Sequence, residues 1–215
     1  AMATSSGDIL CFLDDDVIVE PRWLAAISDH FEQTPHSVAA QGTIAWPEEF
    51  EADETLRQSI EGRGTIVRHV LPLGTERSEL IGFNMALQRH TMGVIGGFDE
   101  RLGPGAAGLN DERKLADRIR HLGGEIDYIR EARVVHRVED AHLTEDFFRE
   151  HYRAQGRSRF TYKPNGLFSS ILPNLLKAAT LYSLWSATGN IRNRYRALGR
   201  LYHYREMLAI HWRRR

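Results

Sequence analysis

An α/β fold is predicted for this 215-residue chain: a mixed, mainly parallel sheet flanked by helices, followed by a helical C-terminal extension. Three observations predict it. Short apolar runs of strand length alternate with segments of helical period through about residue 140, which indicates an α/β sheet with a sizeable parallel component. Beyond residue 142 only helical spacing remains. The charge divides near the same place, with 28 acidic and 15 basic side chains through residue 150, then 13 basic and one acidic, Glu206, in 151–215. The formal net charge of −1 is therefore a cancellation. We read two domains, 1–140 and 141–215. A basic segment of this kind points to an anionic partner.

The elements follow in order. Asp8–Leu13 (DILCFL) is an apolar run with the character of a buried strand, and it ends in Asp14-Asp15-Asp16. Pro21 suits the first turn of a helix running to about Phe31, with Trp23, Leu24, Ile27 and Phe31 on one face. Ser37–Trp46 reads as a second strand. Residues 47–78 are polar and lack a clear period, and we expect a helix and a long loop over a binding face. Glu79–Leu87 (ELIGFNMAL) reads as another strand, followed by a short helix from Arg89. Gly96-Gly97-Phe98-Asp99-Glu100 and Gly103-Pro104-Gly105 make a turn-rich connection. Asp111–Leu122 has helical spacing and is stopped by Gly123-Gly124. Glu125–Ile129 and Arg133–His136 read as short strands. Three helices are expected beyond: Leu143–Gln155, Leu167–Ala187 and Ile191–Trp212.

Composition narrows the classes. With 42% hydrophobic and 27% charged residues the chain is neither disordered nor fibrous. One cysteine, Cys11, excludes a disulfide framework, favours a reducing compartment and is expected to be buried. No run of about 18 uncharged apolar residues is present, so no clean transmembrane helix is expected.

Three groups could carry chemistry. Asp14, Asp15 and Asp16 would repel one another unless a cation sits among them. Hard oxygen ligands at a strand's carboxyl end suit Mg²⁺ or Mn²⁺, which can hold a diphosphate. A solvated turn with a helix-capping Asp is the competing reading. Asp111-Glu112 opens a helix, where carboxylates suit the dipole and one could equally serve as a general base. His136 ends a strand, as a metal ligand or as a structural histidine.

Taken in sequence, the stretches SGDILCFLDDDVIVEPRWL, ELIGFNMALQRH, GVIGGFDERLGPG, NDERKLADRIRHLGGEIDYI and ARVVH change the balance. The chain resembles the inverting nucleotide-sugar glycosyltransferases of family 2, with the GT-A fold, over most of residues 5–137. The resemblance implies that Asp14 and Asp16 form the Asp-x-Asp element holding donor ribose and metal, with Asp15 between them. Gly82 and Asn84 match a Gly-x-Asn strand beside the donor sugar. His136 matches a histidine that completes the metal site with Asp16 and Asp14. Arg118 matches an arginine on the helix of the base. That base falls at Glu112 by position, with Asp111 competing, because the family's usual Glu-Asp order is reversed here. Lys114 stands where an acidic residue is common. The implied partners are a nucleotide-sugar donor and a glycan or lipid-linked acceptor, shaped by the 47–78 loop, with Mg²⁺ or Mn²⁺ as cofactor. The family's nucleotide-binding half would precede Ser5–Asp16 by roughly 60–100 residues. We therefore expect this chain to correspond to the later part of such a domain. A catalytically incomplete GT-A remnant acting as a membrane-surface or interaction module is the alternative.

The basic segment interleaves Tyr152, Tyr162, Trp185, Tyr195, Tyr202, Tyr204 and Trp212 with eleven arginines. Its helices could pack on the protein's own acidic surface, the reading slightly preferred. Residues 151–215 could instead lie on an anionic membrane, placing the protein in the cytoplasm at the inner face of the cell membrane. Nucleic acid is the least favoured partner, given the motifs upstream.

Overall fold

The computed structural model describes residues 4–45, 79–103, 105–137 and 144–213. They form two compact units, one of residues 4–45, 79–99 and 111–137, the other of 100–103, 105–110 and 144–213. The turn-rich stretch 100–110 thus groups with the C-terminal helices rather than with the sheet. The expected helix and loop at 47–78 lie outside the described residues.

In the first unit, β1 (Ile9–Phe12), β2 (Val17–Val19), β3 (Ala39–Ala45), β4 (Met85–Gln88) and β5 (Ile126–His136) form one five-stranded sheet in the order β1-β4-β3-β5-β2. Helix α1 (Trp23–Gln33) follows β2, α2 (Arg89–Ile95) follows β4, and α3 (Asp111–His121) precedes β5. The sheet is mixed, but its weighting corrects the sequence reading: β3 pairs parallel with β5, whereas β1–β4, β3–β4 and β2–β5 are antiparallel. Strand–helix alternation says nothing about which strands become neighbours. Here β4 inserts between β1 and β3 and runs against both.

β1 and β2 are consecutive in the chain yet occupy opposite edges of the sheet. The four residues Leu13–Asp16 join them. Five Cα-to-Cα steps reach at most ~17 Å, while four strand spacings across a flat sheet would be ~19 Å. The sheet therefore curls, and the acidic turn bridges its edges. β2 pairs only with the end of β5, Val17 opposite His136, and the Arg137 N–H donates to the Asp16 carbonyl at 2.9 Å.

Period-2 alternation sorts the core onto two faces. Ala39, Leu87 and Ile126 pack with Leu115, Ala116 and Ile119 of α3. Ala40, Ala86 and Ile129 pack with Trp23, Ile27 and Phe31, the expected i, i+4, i+8 stripe of α1. Leu24, assigned to that stripe from sequence, is 65% exposed, because it lies about 100° around the helix from Trp23. Cys11 is also exposed, contrary to expectation, since β1 is an edge strand and Cys11 alternates away from buried Leu10.

The two short strands expected at 125–129 and 133–136 are one strand with an irregularity. Gly42 pairs with Ile129 and Thr43 with Arg133, so Arg130–Ala132 have no partners on β3. Asn84 holds this bulge. Its Nδ2 donates to the carbonyls of Thr43 (2.8 Å) and Ala132 (2.9 Å), and its Oδ1 accepts from Trp23 Nε1 (2.8 Å). Gln41 Nε2 donates to the Asn84 carbonyl at 2.9 Å, and its Oε1 accepts from the Ile81 N–H at 2.7 Å. A Cβ on Gly42 would stand 2.4 Å from both the Ala132 carbonyl oxygen and Asn84 Nδ2. Glycine is required where backbone approaches this closely.

The second unit is helical: α4 (Glu145–Tyr162), a π-turn at Leu167–Ile171, α5 (Leu172–Ala187) and α6 (Ile191–Arg213). The Thr144 hydroxyl caps α4 by accepting from the Phe147 N–H at 3.2 Å. α4 therefore starts two residues later than expected, and it runs to Tyr162 rather than Gln155. The helix expected at 167–187 is interrupted after its first turn because Pro173, in the first turn of α5, lacks an N–H to continue the ladder. α4 and α6 approach through glycines: a Cβ on Gly156 would lie 2.5 Å from the His203 carbonyl, and one on Gly199 would lie 2.4 Å from the Tyr152 ring. Among the described residues no helix is long and apolar enough to cross a membrane.

Asn84→Ala is expected to destabilise the protein by roughly 2–4 kcal/mol, because it strands two carbonyls and the Trp23 indole N–H in the core. Urea unfolding followed by tryptophan fluorescence measures this, and an unchanged midpoint would remove Asn84 from its place as the clamp.

Candidate active site

The acidic turn, the end of β5 and the start of α3 all belong to the sheet unit. Pairing of β2 with β5 sets Asp16 against His136, with Oδ2 3.5 Å from Nε2. The other carboxylate oxygen of Asp16, Oδ1, is buried and accepts no hydrogen bond. Phe83 also packs against His136, the two rings in an edge-to-face arrangement with centroids 4.8 Å apart. The Gly-x-Asn element therefore positions the histidine twice, through the Phe83 ring and through Asn84, which secures the strand that carries it.

Asn84 itself is 1% exposed, and both of its amide hydrogens are spent on main-chain carbonyls. In this arrangement its amide stabilises the β5 bulge. Gly82 differs. It lies in the 3₁₀ turn Gly82–Asn84, and a Cβ placed there would meet no atom of the described residues within 4 Å.

Asp14 and Asp15 are exposed in the turn. Partial burial of the carboxyl and the charge of Asp16 push the Asp14 pKa up, opposed by His136 and reinforced by Asp15 and Asp111. Asp111 is thus close enough to act on Asp14, and the structure gathers Asp14, Asp15, Asp16, His136 and Asp111 into one electrostatic neighbourhood.

Asp111 and Glu112 occupy the first turn of α3. Asn110 immediately before them has φ of 72°, left-handed backbone that asparagine tolerates better than most residues. The helix is fixed by side chains further along it. Lys114 pairs with Asp99, and Arg118 Nη2 donates to the Gly97 carbonyl. Lys114, which departs from the family pattern, is therefore an anchor to the GGFD turn, and Arg118 is another. Glu112 is half-buried. Burial, then a side-chain hydrogen bond with Asp111, push its pKa up from 4.5 to about 8, against smaller opposing effects from its own main chain and Arg113.

Among the described residues, no three His, Cys, Asp or Glu side chains converge on one point. The fit to Mg²⁺ or Mn²⁺ is that of an ion held by one or two protein groups and completed by phosphate oxygens, a common arrangement for Mg²⁺. Asp16 Oδ1, buried and without a donor, is the observation that favours it.

Sequence reasoning did not single out Phe83, Gln41, Gly42 or Asp99. Only Gly42 left a signal, as a glycine inside a strand-like run.

The description "Glycosyl transferase family 2" matches residues 1–93, which include the acidic turn and the Gly-x-Asn element. Over those residues the chain is similar to glycosyltransferase family 2. Asp111, Glu112 and His136 lie beyond the matched residues. A glucosyl-dolichyl phosphate glucuronosyltransferase of Haloferax volcanii is 29% identical over 142 residues, covering 62% of this chain and 44% of that protein. The chain thus spans less than half the length of this curated relative. A mycobacterial protein of known crystal structure is 19% identical with a TM-score of 0.43, over 73% of this chain and 48% of that one.

The raised pKa of Glu112 has a defined consequence for stability. Between 4.5 and about 8 the folded state keeps a proton that the unfolded state releases, so stability falls as pH rises through that window and levels above it. Glu112→Gln removes the effect. In EDTA, wild type is expected to lose on the order of 1–2 kcal/mol relative to the variant across the window, after allowance for the partly solvated side chain. Parallel stability–pH curves for the two proteins would contradict the raised value.

Proposed function

We propose that this chain carries the acceptor and metal side of an inverting glycosyltransferase. It transfers a sugar from a nucleotide-sugar donor to a lipid-linked acceptor. The observation that carries the proposal is the gathering of the acidic turn, His136 and the Asp111–Glu112 pair in one unit of a chain similar to glycosyltransferase family 2 over residues 1–93. The similarity to a glucosyl-dolichyl phosphate glucuronosyltransferase supports the acceptor class.

Glu112 serves as the base. Its carboxylate accepts the proton of the acceptor hydroxyl, whose oxygen forms the new bond to the anomeric carbon on the face opposite the nucleotide. The bond to the diphosphate breaks with its electron pair leaving on the phosphate oxygen. Asp111, hydrogen-bonded to Glu112, holds that carboxyl in place. Lys114 and Arg118 fix the helix that presents it, and Gly82 lies beside the donor. Asp16 and His136, with Asp14 near them, would hold Mg²⁺ or Mn²⁺. When bound, the ion supplies Lewis-acid stabilisation of the diphosphate leaving group.

A base that titrates at about 8 must lose its proton before it can work, and at pH 7 only about a tenth of it has done so. Transfer to a polyprenyl phosphate acceptor is therefore expected to rise nearly tenfold per pH unit below neutrality and to level off above about 8. Glu112→Gln is expected to lower kcat by about 10²–10⁴-fold. Normal turnover in that variant would sink the base assignment, and Asp111→Asn tests its competitor.

Calorimetric titration of nucleotide sugars in Mn²⁺ tests the donor side. Heat is expected with wild type and is lost in Asp16→Ala. Silence from every common donor with wild type would favour the catalytically incomplete alternative.

A further inference from the structure

We propose that a cleft between α4 and α6, in the helical unit, is a binding site for a phosphate group. The cleft has a volume of about 450 Å³, and Arg149, Arg153, Arg205 and Arg213 line it together with Tyr202 and Glu206. The proposal stands apart from the transferase reading, because it uses none of the residues assigned to sugar transfer.

Helical spacing explains why four guanidinium groups meet there. Arg149 and Arg153 are one turn apart on α4, and Arg205 and Arg213 are two turns apart on α6. The intervening turn of α6 presents Ala209 to the same cleft, and its single methyl group keeps the floor open between the two arginines.

Glu206 is the one carboxylate in the lining, and it is already engaged. Its side chain is 9% exposed, with Oε2 2.9 Å from Arg153 Nε and Oε1 3.8 Å from Arg157 Nη1. This contact holds the Arg153 guanidinium in a set orientation at the cleft wall. Arg149 has a surface partner in Asp146 at 2.7 Å, an exposed pair of the kind that exchanges readily with solvent. Among the described residues, neither Arg205 nor Arg213 forms an ion pair. A helix-terminal role accounts for Arg213 but not for Arg205, two turns inside the helix. Planar guanidinium forks converging on a concave site match the oxygens of a phosphate in geometry and charge.

Phosphate could come from a lipid headgroup or from solution. The same unit exposes Phe168 (79%), Leu176 (68%) and Leu184 (48%), and Lys177 is the one charged residue between Pro164 and Asn190. That apolar surface is the reason to include a lipid in the test.

The full chain is titrated with inorganic phosphate in EDTA, which removes divalent ions from the acidic turn, and binding is read by calorimetry. Saturable binding is expected in wild type. Arg205→Ala/Arg213→Ala is expected to weaken it at least about tenfold. Ala209→Leu keeps every charge but fills the floor, and is expected to weaken it comparably. Both variants should retain wild-type helical circular dichroism.

Sedimentation with phosphatidylcholine vesicles containing phosphatidic acid then identifies the source. Vesicle binding that is lost in the same variants and competed by phosphate assigns a lipid headgroup. Phosphate binding without vesicle binding assigns a soluble phosphate, again within the proposal. No saturable phosphate binding in wild type overturns it, as does wild-type affinity in both variants. Loss confined to the arginine variant also overturns it, because that result describes a charged surface without a cleft.

Discussion

Four residues tether the two edges of one sheet, and the site depends on that tether. Leu13–Asp16 are too short to cross a flat five-stranded sheet, so the strands curl until β2 reaches the end of β5. Three aspartates occupy that turn, Asp14 and Asp15 exposed and Asp16 half-buried. The curl also places Asp16 against His136, 120 residues further along the chain. Burial of its carboxyl and then the neighbouring charge of Asp16 raise the proton affinity of Asp14.

A second constraint keeps β5 in register with its neighbours on both sides. The Arg130–Ala132 irregularity lets one long strand pair with β3 along its length and with β2 at its end. Three buried polar side chains and a glycine make this possible. Asn84 satisfies the Thr43 and Ala132 carbonyls at the bulge, Gln41 ties down the Ile81 and Asn84 main chain that carries it, and Trp23 donates to the Asn84 Oδ1. Gly42 leaves the room they need. The Gly-x-Asn element thus acts on the site through packing. Asn84 holds the strand, and Phe83 packs against the imidazole.

The opposing charges of the two units have different origins. In the sheet unit five of the acidic groups, Asp14, Asp15, Asp16, Asp111 and Glu112, lie at two element ends, after β1 and at the start of α3. In the helical unit, arginines recur at helical intervals on α4 and α6, with Glu206 buried among them. That buried carboxylate pairs with Arg153 and Arg157, while Arg149 pairs with Asp146 at the surface.

Much of this was legible in residues taken one at a time or in short periods. Trp23, Ile27 and Phe31 announced the buried stripe of α1, and the acidic turn followed β1 as expected. Motif order pointed to the family, and the charge split separated the basic helices. These are local signals, because propensity, hydrophobic period and motif spacing are properties of neighbouring residues. The tertiary structure decided what depends on distant ones. It made three of the four strand pairings antiparallel and merged two expected strands into β5. It turned Asn84 inward, left Cys11 and Leu24 exposed, and gave Glu112 a proton affinity that no run of sequence encodes. Each of these is set by which surfaces meet after the chain has folded back on itself, and burial and pairing between residues tens of positions apart have no periodic trace in the chain.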